Sequence, residues 1–205
     1  AILPLAITVD ICQTVLAEAG FDAGLVTLVA DTLDNPVTEE LVTNDAVNII
    51  DYTGGSAFGN WVEANAGNAV VYTEKAGVNS IIIDSVEQMK AVSGNLAFSL
   101  CLYSGQMCTT PQNIFIPRDG VKTADGHMSF DDVASAIVKG VDWMLSDQGR
   151  ANEVLGAIQN QATADRIDSA VGEVLREGVS IEHAMFGEAR TRSIKIIKLE
   201  ATQRE

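Results

Sequence analysis

The chain has 205 residues, with 13 Lys and Arg against 28 Asp and Glu, a formal charge of −15, 47% apolar side chains and 5% aromatic ones. That length builds one ordinary domain or two small ones. Acidity spread along the chain, with basic residues gathered only near its end, excludes a nucleic-acid partner and an anionic membrane surface. No apolar run approaches the roughly 20 residues of a bilayer span, because Thr8, Asp10 and Gln13 interrupt the apolar opening, so a soluble chain is expected. The first seven residues lack the basic start of a signal peptide and read as interior sequence. Cys12, Cys101 and Cys108 cannot pair completely and show no metal-ligand spacing, which predicts reduced thiols, a cytoplasmic location and no metal site.

In chain order, residues 7–19 place Ile7, Ile11, Val15 and Leu16 at helical spacing ahead of Gly20. Residues 25–29 read as a buried strand, 36–41 as a short helix opened by Pro36, and 47–51 as a second strand. A turn at 52–56, a helix to about Ala66 and a strand over 69–73 follow. This alternation predicts an α/β fold of parallel β-α-β units with helices on both faces of a sheet. The pattern then restarts: a strand over 80–84, a helix over about 86–102, a polar loop over 103–112 and a strand over 113–117. Residues 118–127 read as a loop. Ser129 is placed to cap a helix reaching about Leu145, with Asp131 and Asp132 in its first turn, where acids suit the helix dipole. A helix over about 163–176 and a half-exposed strand over 193–199 complete the reading. The seam between the two series falls at 75–79.

Three segments could carry chemistry. Tyr52-Thr53-Gly54-Gly55-Ser56-Ala57-Phe58-Gly59 joins a strand to a helix, where glycines admit a ligand close to the backbone and free helical N–H groups favour an anion. It departs from the G-x-G-x-x-G fingerprint, and such a turn is often only structural. Ser104-Gly105-Gln106-Met107-Cys108-Thr109-Thr110-Pro111 is a polar loop holding one cysteine. Cys12 and Cys101 fall within apolar helical patterns and read as packing, whereas Cys108 does not. Glu74, at a strand end, would alone be a solvated acid.

Together these segments resemble the aldehyde dehydrogenase superfamily. Its glutamate motif E-L-G-G-K-N is similar to Glu74-Lys75-Ala76-Gly77-Val78-Asn79, and its nucleophile motif G-Q-x-C to Gly105, Gln106 and Cys108. Glu74 and Cys108 lie 34 positions apart, the usual family separation. The cofactor-loop motif F-T-G-S is similar to Tyr52-Thr53-Gly54-Gly55. Departures are Ala76, Val78, and Gly55 where the family usually has Ser, with Ser56 adjacent. The stretches VEANAGNAVVYTEKAGVNSIIIDS and SGQMCTTPQNIFIPRDG most resemble the branch of phenylacetic acid degradation aldehyde dehydrogenases.

The resemblance implies an aldehyde dehydrogenase-like fold: residues 1–76 as the C-terminal part of a Rossmann-like NAD(P)-binding domain, 77–205 as the N-terminal part of the cysteine-bearing catalytic domain. Full members are more than twice this length and carry an upstream oxyanion Asn, a Lys-Pro segment and an E-x-F-G-P motif. The chain is therefore expected to be an internal segment. The resemblance further implies Cys108 as nucleophile and Glu74 as general base, with Thr53, Gly54, Gly55, Ser56 and Gly59 at an NAD or NADP site. A small-molecule aldehyde is the implied substrate, in a homo-oligomer (dimer or tetramer). A relative passing the thioester to coenzyme A and a non-catalytic scaffold remain as alternatives. His127 and His183 read as surface residues, Trp61 and Trp143 as packing, and Arg190, Arg192, Lys195, Lys198 and Arg204 as a solvated strand face or subunit contact.

Overall fold

A computed structural model describes residues 2–32, 34–158, 161–179, 191 and 193–199. His183, Arg190, Arg192 and Arg204 lie outside the described residues. The chain divides into two compact units, Ala1–Ala76 and Gly77–Glu205.

In the first unit, helix α1 (Ile2–Glu18) starts earlier than its apolar spacing suggests and buries none of its residues; Ile7, Ile11 and Val15 are exposed. The strand expected over 25–29 does not form. Asp22 instead accepts a hydrogen bond from the Gly24 N–H at 2.8 Å and caps a 3-10 turn, Ala23–Leu25. Local side-chain capping wins because no strand pairs with this apolar run among the described residues.

Helix α2 (Thr38–Val42) is started by Asp31, whose carboxylate accepts from the Val37 and Thr38 N–H groups and the Thr38 hydroxyl. Strand β1 (Ile49–Gly54), helix α3 (Ser56–Asn65) and strand β2 (Val70–Lys75) make one parallel β-α-β unit. Burial alternates along both strands, as a pleat covered on one face demands. Under α3 sit Ile50, Tyr52 and Val71, around Val42, Val62 and Ala66. Trp61 belongs to this cluster and stacks on Phe58 at 5.4 Å. Ile49, Val70 and Tyr72 on the other face are exposed, so the expected second helical layer is missing among the described residues.

The second unit repeats the device. Strands β3 (Asn79–Ile82) and β4 (Pro111–Phe115) pair in parallel across helix α4 (Met89–Cys101). Residues 118–127 are not a simple loop: β5 (Val121–Thr123) and β6 (Gly126–Met128) form a hairpin containing His127, which is exposed. Ala124 and Asp125 make a two-residue turn, so the polar residues mark a hairpin bend. Helix α5 (Phe130–Leu145) carries a full capping box between Ser129 and Asp132. Its Val133, Ile137 and Val141 face Leu96, Ala97 and Leu100 of α4 in the main core.

Helix α6 (Gln148–Val154) starts at Asp147 and helix α7 (Gln161–Ser169) follows. The helix expected over 163–176 ends early: Gly172 intervenes and β7 (Glu173–Arg176) pairs antiparallel with β8 (Ile196–Lys198). Two further expectations are corrected. Lys198 pairs with Asp131 at 2.9 Å and Lys195 donates to the Ala170 carbonyl at 3.0 Å, so intramolecular bonds hold both. Trp143 is 60% exposed and lies under the Arg150 guanidinium, with the cation 4.3 Å from the ring centroid. No helix among the described residues is long and apolar enough to cross a membrane.

Candidate active site

Strand β1 ends at Gly54, and Gly55, in an extended conformation, opens α3 without any side-chain cap bond. The first N–H groups of α3, from Ser56, Ala57 and Phe58, are the ones that a helix start leaves without intrahelical partners. The three glycines of this turn differ in their surroundings. A Cβ on Gly54 would overlap the Tyr52 ring, whose hydroxyl donates to the Gly55 carbonyl at 2.9 Å. A Cβ on Gly59 would stand 2.9 Å from both Tyr52 Cε1 and Lys75 Cγ, so Gly59 lets α3 lie close on the sheet. A Cβ on Gly55 meets nothing within 4 Å.

Parallel register sets Thr53 opposite Glu74, both exposed on the uncovered face of the pair. Lys75 consequently points under α3, where its ammonium lies 2.7 Å from Glu63 Oε2 and 2.7 Å from Asn60 Oδ1. Glu63 also accepts from the Thr73 hydroxyl, and the Lys75 and Thr73 bonds hold its carboxyl below the usual range.

In the second unit, α4 ends in a backbone reversal. Tyr103 (φ 50°), Ser104 (φ 57°) and Gly105 (φ 74°) occupy left-handed space consecutively, which costs the two side-chain-bearing residues about 1–3 kcal/mol each. The reversal is held from 50 or more positions away. Ser104 is buried, donates to the Gly156 carbonyl at 2.8 Å and accepts from the Gly156 N–H at 3.2 Å. Gln106 Nε2 donates to the carbonyls of Tyr103, at 2.9 Å, and Ala157, at 2.8 Å.

A tight turn follows, closed by the Thr110 N–H on the Met107 carbonyl at 3.0 Å, with Cys108 exposed at its second position. Asn79 Nδ2 donates to the Cys108 carbonyl at 2.6 Å and the Thr110 carbonyl at 3.1 Å. The Thr110 hydroxyl is buried without a partner among the described residues. Cys101 is fully buried, and burial, opposed by the Arg176 charge, pushes its thiol up to about 11. Cys12 is half-buried. Of these two thiols, Cys101 is therefore sealed and hard to ionise, and Cys108 is the one that solvent reaches.

Sequence reasoning found the three segments but missed the Ser104, Gln106 and Asn79 contacts. Gln106 and Asn79 stood in the quoted motifs, yet their distant bonding partners carry no local signal.

A cysteine-bearing loop after an apolar helix, and a glycine turn between parallel strands, define an α/β architecture. Residues 5–193 match the family model for the aldehyde dehydrogenase family, and the chain belongs to that family. A crystal structure of an NAD-dependent aldehyde dehydrogenase from Burkholderia multivorans is 51% identical, with a TM-score of 0.87 over 96% of this chain and 36% of that one. The NADP complex of glyceraldehyde-3-phosphate dehydrogenase from Methanocaldococcus jannaschii shares the fold at 19% identity and a TM-score of 0.62, covering 92% of this chain and 41% of that one. N-succinylglutamate 5-semialdehyde dehydrogenase from Burkholderia mallei is 27% identical over 80% of this chain and 32% of its own. The chain spans about a third of the length of the curated relatives it matches.

Proposed function

We propose that the protein carrying this chain oxidises an aldehyde to a carboxylic acid with NAD or NADP, through a thiohemiacetal and a thioester on Cys108. The observation that carries this reading is the contrast between thiols: Cys108 is exposed at the tip of a braced turn, while Cys101 is buried and hard to ionise. The Cys108 thiolate adds to the aldehyde carbon, giving a tetrahedral adduct whose oxyanion accepts a hydrogen bond from the Cys108 N–H. Bound NAD or NADP supplies the hydride acceptor that turns this adduct into a thioester. Glu74 removes a proton from water, the water oxygen bonds to the acyl carbon, and the C–S bond breaks to return the thiolate.

The residues at the glycine turn suit a dinucleotide. Open space beside Gly55 and a helix start without a side-chain cap favour a pyrophosphate on the α3 N–H groups. Thr53, Gly54 and Ser56 frame that turn, and Gly59 brings α3 against the sheet. Accordingly, residues 1–76 act as part of the cofactor-binding domain and 77–205 as part of the catalytic domain. Two motif stretches support a narrower reading, aromatic catabolism in the phenylacetate branch. A cytoplasmic homo-oligomer, dimer or tetramer, belongs to the same reading.

The test is reduced-cofactor absorbance when the encoded protein meets NAD or NADP and a panel of aromatic and aliphatic aldehydes. Turnover without coenzyme A is expected. Turnover only in its presence points to the acylating alternative, and no turnover to a scaffold. Full activity in Cys108→Ser removes the nucleophile assignment.

A further inference from the structure

We propose that Asn79 is a positioning residue for the Cys108 thiol, an inference that rests on the aldehyde-oxidising reading above. One side-chain nitrogen serves two main-chain oxygens, Cys108 O at 2.6 Å and Thr110 O at 3.1 Å, 29 and 31 positions along the chain. A carboxamide carries two N–H donors on that nitrogen, one for each carbonyl.

The need for this bond follows from the strand. Strand β3 begins at Asn79, opposite Pro111, and the register shifts before Ser80 pairs with Asn113. Proline has no N–H, so the ladder is weakest where it meets the nucleophile loop. Carbonyls on the loop side of Pro111 lie past the end of the ladder, and the Asn79 side chain supplies the donors that the strand backbone does not.

The consequence falls on Cys108. The peptide joining Cys108 to Thr109 is the middle peptide of the turn closed by Thr110 N on Met107 O. Holding its carbonyl fixes ψ of Cys108. With the preceding reversal bonded to Gly156 and Ala157, both flanks of the nucleophile are tied to separate segments. The Cα–Cβ bond that carries the thiol is then aimed by the backbone, and small errors in such aim lower the rate steeply. Asparagine is required rather than its isostere: an aspartate would turn acceptor oxygens toward two carbonyl oxygens.

The experiment compares wild type, Asn79→Asp and Asn79→Ala in the encoded protein by amide hydrogen exchange and steady-state kinetics. Peptides spanning 104–112 are expected to exchange about tenfold faster in both variants, the scale of one lost hydrogen bond, while α5 peptides keep their protection. Turnover is expected to fall about 10- to 100-fold in kcat with KM within about twofold, the mark of lost aim rather than lost substrate binding. Wild-type exchange across 104–112 overturns the proposal, and so does an unchanged kcat even where exchange has risen. A wild-type protein that reduces no cofactor with any aldehyde refutes the proposed function instead, and the exchange comparison then decides the role of Asn79 alone.

Discussion

Thr53 and Glu74 stand opposite each other in the parallel register of β1 and β2, on the exposed face of the pair. The pleat gives the neighbouring Lys75 the opposite direction, under α3, where Glu63 and Asn60 engage it. A one-residue slip would exchange Glu74 for Lys75 on the open face. The Lys75–Glu63 and Thr73–Glu63 bonds thus protect the direction of a residue that they never touch.

Glu74→Gln tests the base. Cys108 and the hydride step are retained, so a burst of about one reduced cofactor per site is expected, followed by turnover slower by about 10²–10⁴-fold. Rapid-mixing absorbance separates the phases. Wild-type steady-state turnover would remove Glu74 from hydrolysis.

The thiols are told apart by alkylation. Iodoacetamide at pH 8 on the native protein, followed by peptide mass spectrometry, is expected to modify Cys108 and spare Cys101, which burial seals and holds protonated. In denaturant both react. Equal labelling of Cys101 in the native state would contradict its place in the core.

The glycine turn yields opposed outcomes. Gly59→Ala drives a methyl against Tyr52 and Lys75 and should cost about 1–3 kcal/mol. Gly55→Ala meets open space in an extended backbone and should stay within about 0.5 kcal/mol. Urea midpoints measure both. Cofactor affinity in Gly55→Ala then reports whether that space is used: a raised Kd with an unchanged midpoint is expected.

Acid should destabilise the fold through three exposed carboxylates. Thr38 bonds hold Asp31 low, Lys75 and Thr73 bonds hold Glu63 low, and Ser129 bonds hold Asp132 low. Each folded-state value lies below the unfolded one, so the native state binds fewer protons. The stabilisation is complete above the unfolded values of about 4 and is lost as pH falls through the lowered folded ones. Asp132→Asn and Glu63→Gln should lower the urea midpoint at pH 7 and flatten its decline between about pH 5 and 2. A parallel decline in wild type and variants would deny these groups that role.

Much of the fold could be read locally. The capping box at Ser129, the glycine turn after β1 and the alternation of both β-α-β units are short-range patterns, and each forms. Three misread segments share one cause. Residues 25–29 have strand composition but no paired strand among the described residues. Residues 173–176 continue a helical spacing but find β8. Residues 118–127 contain loop residues whose neighbours pair. Pairing is a property of two segments, and composition describes one.

The site divides the same way. The amino-acid order alone determined the chemistry on offer: a cysteine outside any apolar pattern, a glutamate 34 positions before it, and a glycine turn at a strand end. Only tertiary structure decided which thiol is exposed, that Thr53 faces Glu74, and that Ser104, Gln106 and Asn79 brace the cysteine loop. The reason is range: side-chain type and turn propensity act over a few bonds. The bracing contacts join residues 29 to 52 positions apart, and they exist only after the chain has paid the entropy of bringing those segments together.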